Sequence, residues 1–144
     1  MGGQAGAAGR GMSMGYPQRC CRAFPGQAKQ MSQVRRFLAC VLDGCPAAGT
    51  VILLANEVAT NAVQYGTGTG DDGRIMVWVS VRKGESVRIA VRDEGGPWAG
   101  QDRTYRTPEH GNGLFMVDAE AEEWGMVRNA RGRTVWFRCA WAAA

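Results

Sequence analysis

A two-layer α+β fold, with helices on one face of a mixed, mainly antiparallel sheet, follows from the order of hydrophobic periods along this 144-residue chain. Two stretches with apolar residues at three- and four-residue steps come first, and paired stretches of strict alternation come after them. A helix with one apolar stripe and a strand with one apolar side must each bury that side. Stacking the helices on one sheet face is the simplest arrangement that serves both.

Residues 1–19 are rich in Gly, Ala and Gln and carry no apolar period, so they are expected to form a disordered tail that cannot offset the entropy of ordering. Residues 20–144 are expected to form one domain. Cys20 to Phe24 reads as a short edge strand and Pro25-Gly26 as a break. Met31, Val34, Phe37, Leu38 and Val41 then recur at helical steps until Asp43-Gly44 closes the first helix. The second helix has Pro46 near its start and ends at Gly66. At about 100° per residue, Val51, Leu54, Ala55, Val58, Ala59 and Ala62 share one arc, with Thr50, Glu57, Thr60, Asn61 and Gln64 opposite.

From Arg74 the period becomes two, with Ile75, Val77, Val79 and Val81 on one side and Met76, Trp78, Ser80 and Arg82 on the other. Lys83-Gly84-Glu85 is a hairpin loop, and Val87, Ile89 and Val91 mark a return strand that ends in Asp93-Glu94-Gly95-Gly96-Pro97. The stretch from Trp98 to His110 has no apolar period and reads as a long loop. Gly111-Asn112-Gly113 opens a short helix with Leu114, Val117 and Ala121 as its inner stripe. Strands at about Trp124 to Arg128 and Thr134 to Ala140, joined by a turn at Asn129-Ala130-Arg131-Gly132, close the chain.

Composition excludes several classes. The 45% hydrophobic and 21% charged residues are those of a globular chain. The net charge of +4 is carried by dispersed Arg residues and not by a basic stripe, so direct nucleic-acid binding is not expected. No apolar run approaches a membrane span and the N-terminus lacks the apolar middle of a signal peptide, so a cytoplasmic protein without membrane association is expected. Five cysteines, with no CxxC or Cys/His spacing, read as small buried thiols and not as a disulfide framework or zinc site.

Three stations carry polar or Gly residues where packing does not ask for them. Glu57 and Asn61 lie one turn apart, so both can reach one ligand, and Asn is a mediocre helix former in an Ala/Val/Leu-rich segment. A solvated helix face is the bland alternative. Asp93 leaves a strand into Gly95, where its carboxylate can accept from an exocyclic amine or simply shape a turn. Gly111 and Gly113 open a helix, where backbone N–H groups can meet phosphate or merely cap.

In order and spacing, these stations resemble the ATP-binding boxes of the GHKL (Bergerat) superfamily. Glu57-x-x-x-Asn61 matches its helix box, Asp93-Glu94-Gly95 its first Gly box, and Gly111-Asn112-Gly113-Leu114-Phe115-Met116-Val117 its second. Gly132-Arg133-Thr134-Val135-Trp136-Phe137 matches the last strand, where the superfamily often has a Thr beside the adenine. Within it, the chain looks like the short bacterial regulators related to anti-sigma-factor serine/threonine kinases, over roughly Ala23 to Ala140.

The resemblance implies ATP and Mg²⁺ as cofactors, with Asn61 holding the metal, Asp93 accepting the adenine amine together with a water shared with Thr134, and Gly95 allowing close approach of the base. It implies Gly111, Asn112, Gly113 and Leu114 around the phosphates and Glu57 as general base. Pro97 departs from the fuller pattern, which often has a second Gly there, and this bears on the mobility of the loop that follows. The implied activity is a serine/threonine protein kinase that phosphorylates a small antagonist of the anti-anti-sigma type and sequesters a sigma factor in transcription regulation, possible as a homodimer. A partner-sequestering module without kinase activity is the alternative. A sensor histidine kinase is not expected, because no dimerisation helix bearing a phosphoacceptor His and no sensor or membrane segment is recognised ahead of the domain.

Overall fold

The computed structural model describes residues 16–65, 73–94, 112–129 and 132–142. Strand β1 (Gln18–Pro25) leads through a short 3-10 turn into α1 (Met31–Val41) and α2 (Ala48–Tyr65). The hairpin of β2 (Arg74–Arg82) and β3 (Ser86–Glu94) follows, then α3 (Asn112–Glu120), then β4 (Glu123–Asn129) and β5 (Gly132–Ala140). Among the described residues the strands form one sheet in the order β1-β2-β3-β5-β4, with every neighbouring pair antiparallel. The architecture is the expected α+β sandwich, and no parallel pair occurs among these strands.

Residue registers explain the layering. Val77, Val91 and Val135 stand in one row across β2, β3 and β5, and Val79, Ile89 and Phe137 in the next, all facing the helices and all buried. Helix α2 packs on β2 and β3 and is flanked by α1 and α3. Val51, Leu54, Ala55, Val58, Ala59 and Ala62 bury the predicted arc against the sheet, and Met31, Val34 and Leu38 do the same for α1. Full burial of each Val, Leu, Ile or Phe side chain contributes about 1.5–3 kcal/mol relative to exposure.

The layer is closed at one end by the chain's last turn. The Trp141 N–H donates to the Glu85 carbonyl (3.0 Å), and the Trp141 carbonyl accepts from the Ala47 N–H (3.1 Å). On the face without helices, Trp78, Ala90, Trp136 and Gly125 form a cross-strand row. The Arg92 guanidinium lies 4.9 Å from the Trp78 ring and that of Arg88 4.2 Å from Trp136, cation–π contacts that shield apolar rings left open to water. A Cβ at Gly125 would meet the Trp136 indole nitrogen at 2.8 Å, so the absence of a side chain there lets the ring lie flat.

Two expectations need correction. Gln18 and Arg19 belong to β1, so the disordered stretch expected over residues 1–19 does not include them; residues 1–15 lie outside the described residues. Only Cys45 and Cys139 are buried thiols, while Cys20, Cys21 and Cys40 are exposed. The cause for the first pair is that β1 is an edge strand overhanging the helix layer, with Phe24 its one buried side chain, tilted against Phe37 at 5.7 Å. Burial pushes the Cys139 thiol up to about 11, helped by the nearby Glu122, Cys45 and Glu120, which leaves it inert at neutral pH. Among the described residues no helix is long and apolar enough to cross a membrane.

Candidate functional site

The end of the sandwich opposite Trp141 is polar inside. Along β3 the inward residues run Val87, Ile89, Val91 and then Asp93, and along β5 they run Cys139, Phe137, Val135 and then Arg133. Asp93 and Arg133 are direct cross-strand partners and are 0% and 5% exposed. The approach depends on Gly132, whose φ of +133° suits glycine and whose Cβ, were it present, would overlap the Asp93 carbonyl oxygen.

Helix α2 delivers Asn61 to the same place. The amphipathic reading puts Asn61 on the polar arc, yet it is only 3% exposed, because this stretch of the arc turns over the polar end of the sheet and not toward water. Glu57, one turn earlier, is half-buried. Asn56 beside it faces away, accepting from Arg35 at 2.9 Å and tying α2 to α1.

The three buried polar groups form one chain of contacts. Arg133 Nη2 donates to Asn61 Oδ1 at 3.0 Å, and Arg133 Nε stands 3.5 Å from Asp93 Oδ2. The second distance is an ion pair longer than a hydrogen bond, and neither Asp93 oxygen has a hydrogen bond of full geometry among the described residues. Burial raises the Asp93 carboxyl above its ordinary value; the charge and backbone N–H of Arg133 and the charge of Arg128 pull it part of the way back. Arg128 pairs with Arg133 across β4 and β5, on the same face.

Thr134 is not brought to this cluster. It pairs with Arg92 and Val127 on the open face of the sheet, across the sheet from Asp93, because adjacent residues of a strand point to opposite sides. Arg133 takes the place beside Asp93 that the sequence reading gave to Thr134. The alternation of Val135, Phe137 and Cys139 against Thr134, Trp136 and Arg138 was the signal that separates the two. Leu114 is buried on the inner stripe of α3 together with Val117, and Asn112 and Gly113 begin that helix. Trp124 Nε1 donates to Asp118 Oδ1 at 2.8 Å and fastens α3 to β4. Gly95, Gly111, Pro97 and the loop from Trp98 to His110 lie outside the described residues.

A buried carboxylate with acceptor capacity to spare fits a ligand that brings an N–H donor, such as an exocyclic amine. Among the described residues no group of three His, Cys, Asp or Glu side chains is placed to hold a metal. A divalent cation here would lean on the Asn61 amide oxygen and on oxygens brought by its own ligand, the usual manner of Mg²⁺.

Comparison with known proteins gives the chain a family. The family described as histidine kinase-like ATPase domain matches residues 24–139. Blue-light-activated histidine kinase 1 of Erythrobacter litoralis (strain HTCC2594) is 34% identical over 80 residues, an alignment covering 56% of this chain and 20% of that protein. The chain thus spans about a fifth of the length of that curated relative. The histidine kinase domain from Erythrobacter litoralis EL346 blue-light activated histidine kinase superposes with a TM-score of 0.47 at 20% identity, over 81% of this chain and 61% of that one. With residues 24–139 matched, most of its length, the chain belongs to the histidine kinase-like ATPase domain family of the GHKL superfamily.

Proposed function

We propose that this ATP-binding regulator is a serine/threonine protein kinase of the anti-sigma-factor type, which phosphorylates a small antagonist protein and sequesters a sigma factor. The observation that carries the reading is the pairing of Glu57 with Asn61 one turn apart on α2, at the polar end that also holds the buried Asp93 carboxylate. Asp93 accepts the exocyclic amine of the base and so sets its depth in the interlayer. Asn61 offers its amide oxygen to Mg²⁺. Mg-ATP supplies the phosphoryl group. Glu57, half-buried and not fully desolvated, takes the proton from the acceptor hydroxyl onto its carboxylate. Leu114 closes the core beneath the start of α3, whose first backbone N–H groups are free of intrahelical partners and suit phosphate oxygens.

A sequestering module without phosphotransfer is the second reading, and the hydrogen bond from Arg133 to Asn61 Oδ1 favours it, since the oxygen needed by the metal is already engaged. Histidine as acceptor is the third, because both relatives bear that activity in their names. One experiment separates all three: incubation of the chain with γ-labelled ATP, Mg²⁺ and candidate partners, followed by acid and alkali treatment of the product. Alkali-labile, acid-stable phosphate on a partner that is lost in Glu57→Gln, by a factor of roughly 10² to 10⁴ in rate, supports the kinase. Acid-labile phosphate points to histidine. A partner bound equally by wild type and Glu57→Gln with no phosphate transferred leaves sequestration. Asn61→Ala is expected to abolish every activity that depends on Mg-ATP.

A further inference from the structure

We infer that Arg133 is an internal competitor for the nucleotide site: its guanidinium bridges the carboxylate of Asp93 and the amide of Asn61, and it must withdraw before the Asn61 amide oxygen takes its ligand. The inference rests on the nucleotide reading above and concerns how that site is regulated from within the chain.

The side chain lies between the two layers and not in solvent, being 5% exposed. One planar group reaches both partners, with Nη2 3.0 Å from Asn61 Oδ1 and Nε 3.5 Å from Asp93 Oδ2. Such bridging suits the rigid fork of Arg and is beyond the compact ammonium of Lys, which serves one partner at a time. At Asn61 the competition is direct. With Oδ1 accepting from Arg133, the amide turns its NH₂ side to the ligand, and a divalent cation at Oδ1 would also stand against a guanidinium of like charge. At Asp93 it is partial: the ion pair compensates the charge, while the missing hydrogen bonds leave the oxygens ready for a donor. Arg128, on the same face beside Arg133, contributes a second positive charge at Asp93. The carboxylate therefore stays compensated when Arg133 leaves. The close contact enforced at Gly132 sets the start of β5 against Asp93, so the resting position of Arg133 is built into the strand pairing.

Calorimetric titration with Mg-ATP of the full chain and of Arg133→Ser and Arg133→Lys tests this. Arg133→Ser should bind at least tenfold more tightly than the wild type, with Arg133→Lys between them. A merely structural arginine would give the opposite, because its loss strands a buried carboxylate. Melting curves add a second readout: without nucleotide Arg133→Ser should melt lower than wild type, and saturating Mg-ATP should raise its melting temperature by more. Binding by Arg133→Ser that is no tighter than that of the wild type overturns the inference and leaves the ATP reading standing. Should Arg133→Ser fail to fold, Arg133→Lys keeps a cation beside Asp93 and decides alone, an affinity no higher than wild type overturning the inference. Absence of binding by all three chains removes the ATP reading, and this inference with it.

Discussion

The two ends of the interlayer are built from the same strands and differ in chemistry. At the end nearest Trp141, Val81, Val87, Cys139, Leu42 and Cys45 meet in an apolar seal, and the backbone of Trp141 is hydrogen-bonded to Glu85 and Ala47. At the other end Asp93, Arg133 and Asn61 are as deeply buried as that seal and are joined by polar contacts, Arg133 to Asn61 and Arg133 to Asp93. Burial at the first end is favourable by itself. At the second it is tolerated because Arg133 compensates Asp93, and the pairing is looser than a fully hydrogen-bonded network. On the proposed reading, the difference gives stability to one end and ligand chemistry to the other.

Breaking the apolar end should cost the most. Phe137 is fully buried in the row of Val79 and Ile89, so Phe137→Ala is expected to lower unfolding free energy by about 3–5 kcal/mol in urea titration, with ATP affinity of the folded fraction unchanged. An equal loss of affinity would show that the two ends are not separable. Gly132→Ala comes next, since a Cβ at a φ of +133° meets the Asp93 carbonyl; strain on the order of 2 kcal/mol is expected, together with weaker ATP binding as β5 shifts from Asp93. Stability lost with affinity kept would make Gly132 a turn residue and nothing more.

Asp93→Asn replaces one acceptor oxygen with a donor facing the base amine, and calorimetry should show ATP affinity falling at least tenfold, about 1.4 kcal/mol. Unchanged affinity would remove Asp93 from the site. The smallest effect is on pH. Because burial raises the folded Asp93 value above its ordinary value of about 3.9, the native chain holds that proton more tightly than the unfolded one. This contribution is fully present below about pH 4 and is lost as pH rises through the raised folded value. The stability of wild type minus that of Asp93→Asn should therefore decline with pH over that window; a difference that grows with pH would show that the Arg133 pair outweighs burial.

Much of this was legible in the residues. The stripes of Met31, Val34 and Leu38 and of Val51 to Ala62 gave both long helices, and alternation around Val77, Ile89 and Val135 gave strands within one or two residues of their bounds. Asp93 was singled out by standing where the apolar series of β3 stops, and Glu57 and Asn61 by their spacing. Arg133 is not legible from the resemblance, which places Thr134 beside the base; the alternation of Val135, Phe137 and Cys139 puts Thr134 on the opposite face and Arg133 beside Asp93.

Local sequence determines period, and period determines which side chains share a face; that much of the helices, the hairpins and the polar break at Asp93 is a property of the chain alone. Which polar residues meet is decided by cross-strand register and by how α2 lies over the sheet, both of which depend on packing between segments far apart in sequence. Asn61 and Arg133 are 72 positions apart and share a hydrogen bond only because β5 pairs with β3 under the C-terminal turns of α2. No local preference encodes such a contact, since its energy exists only once the apolar rows have fixed the register.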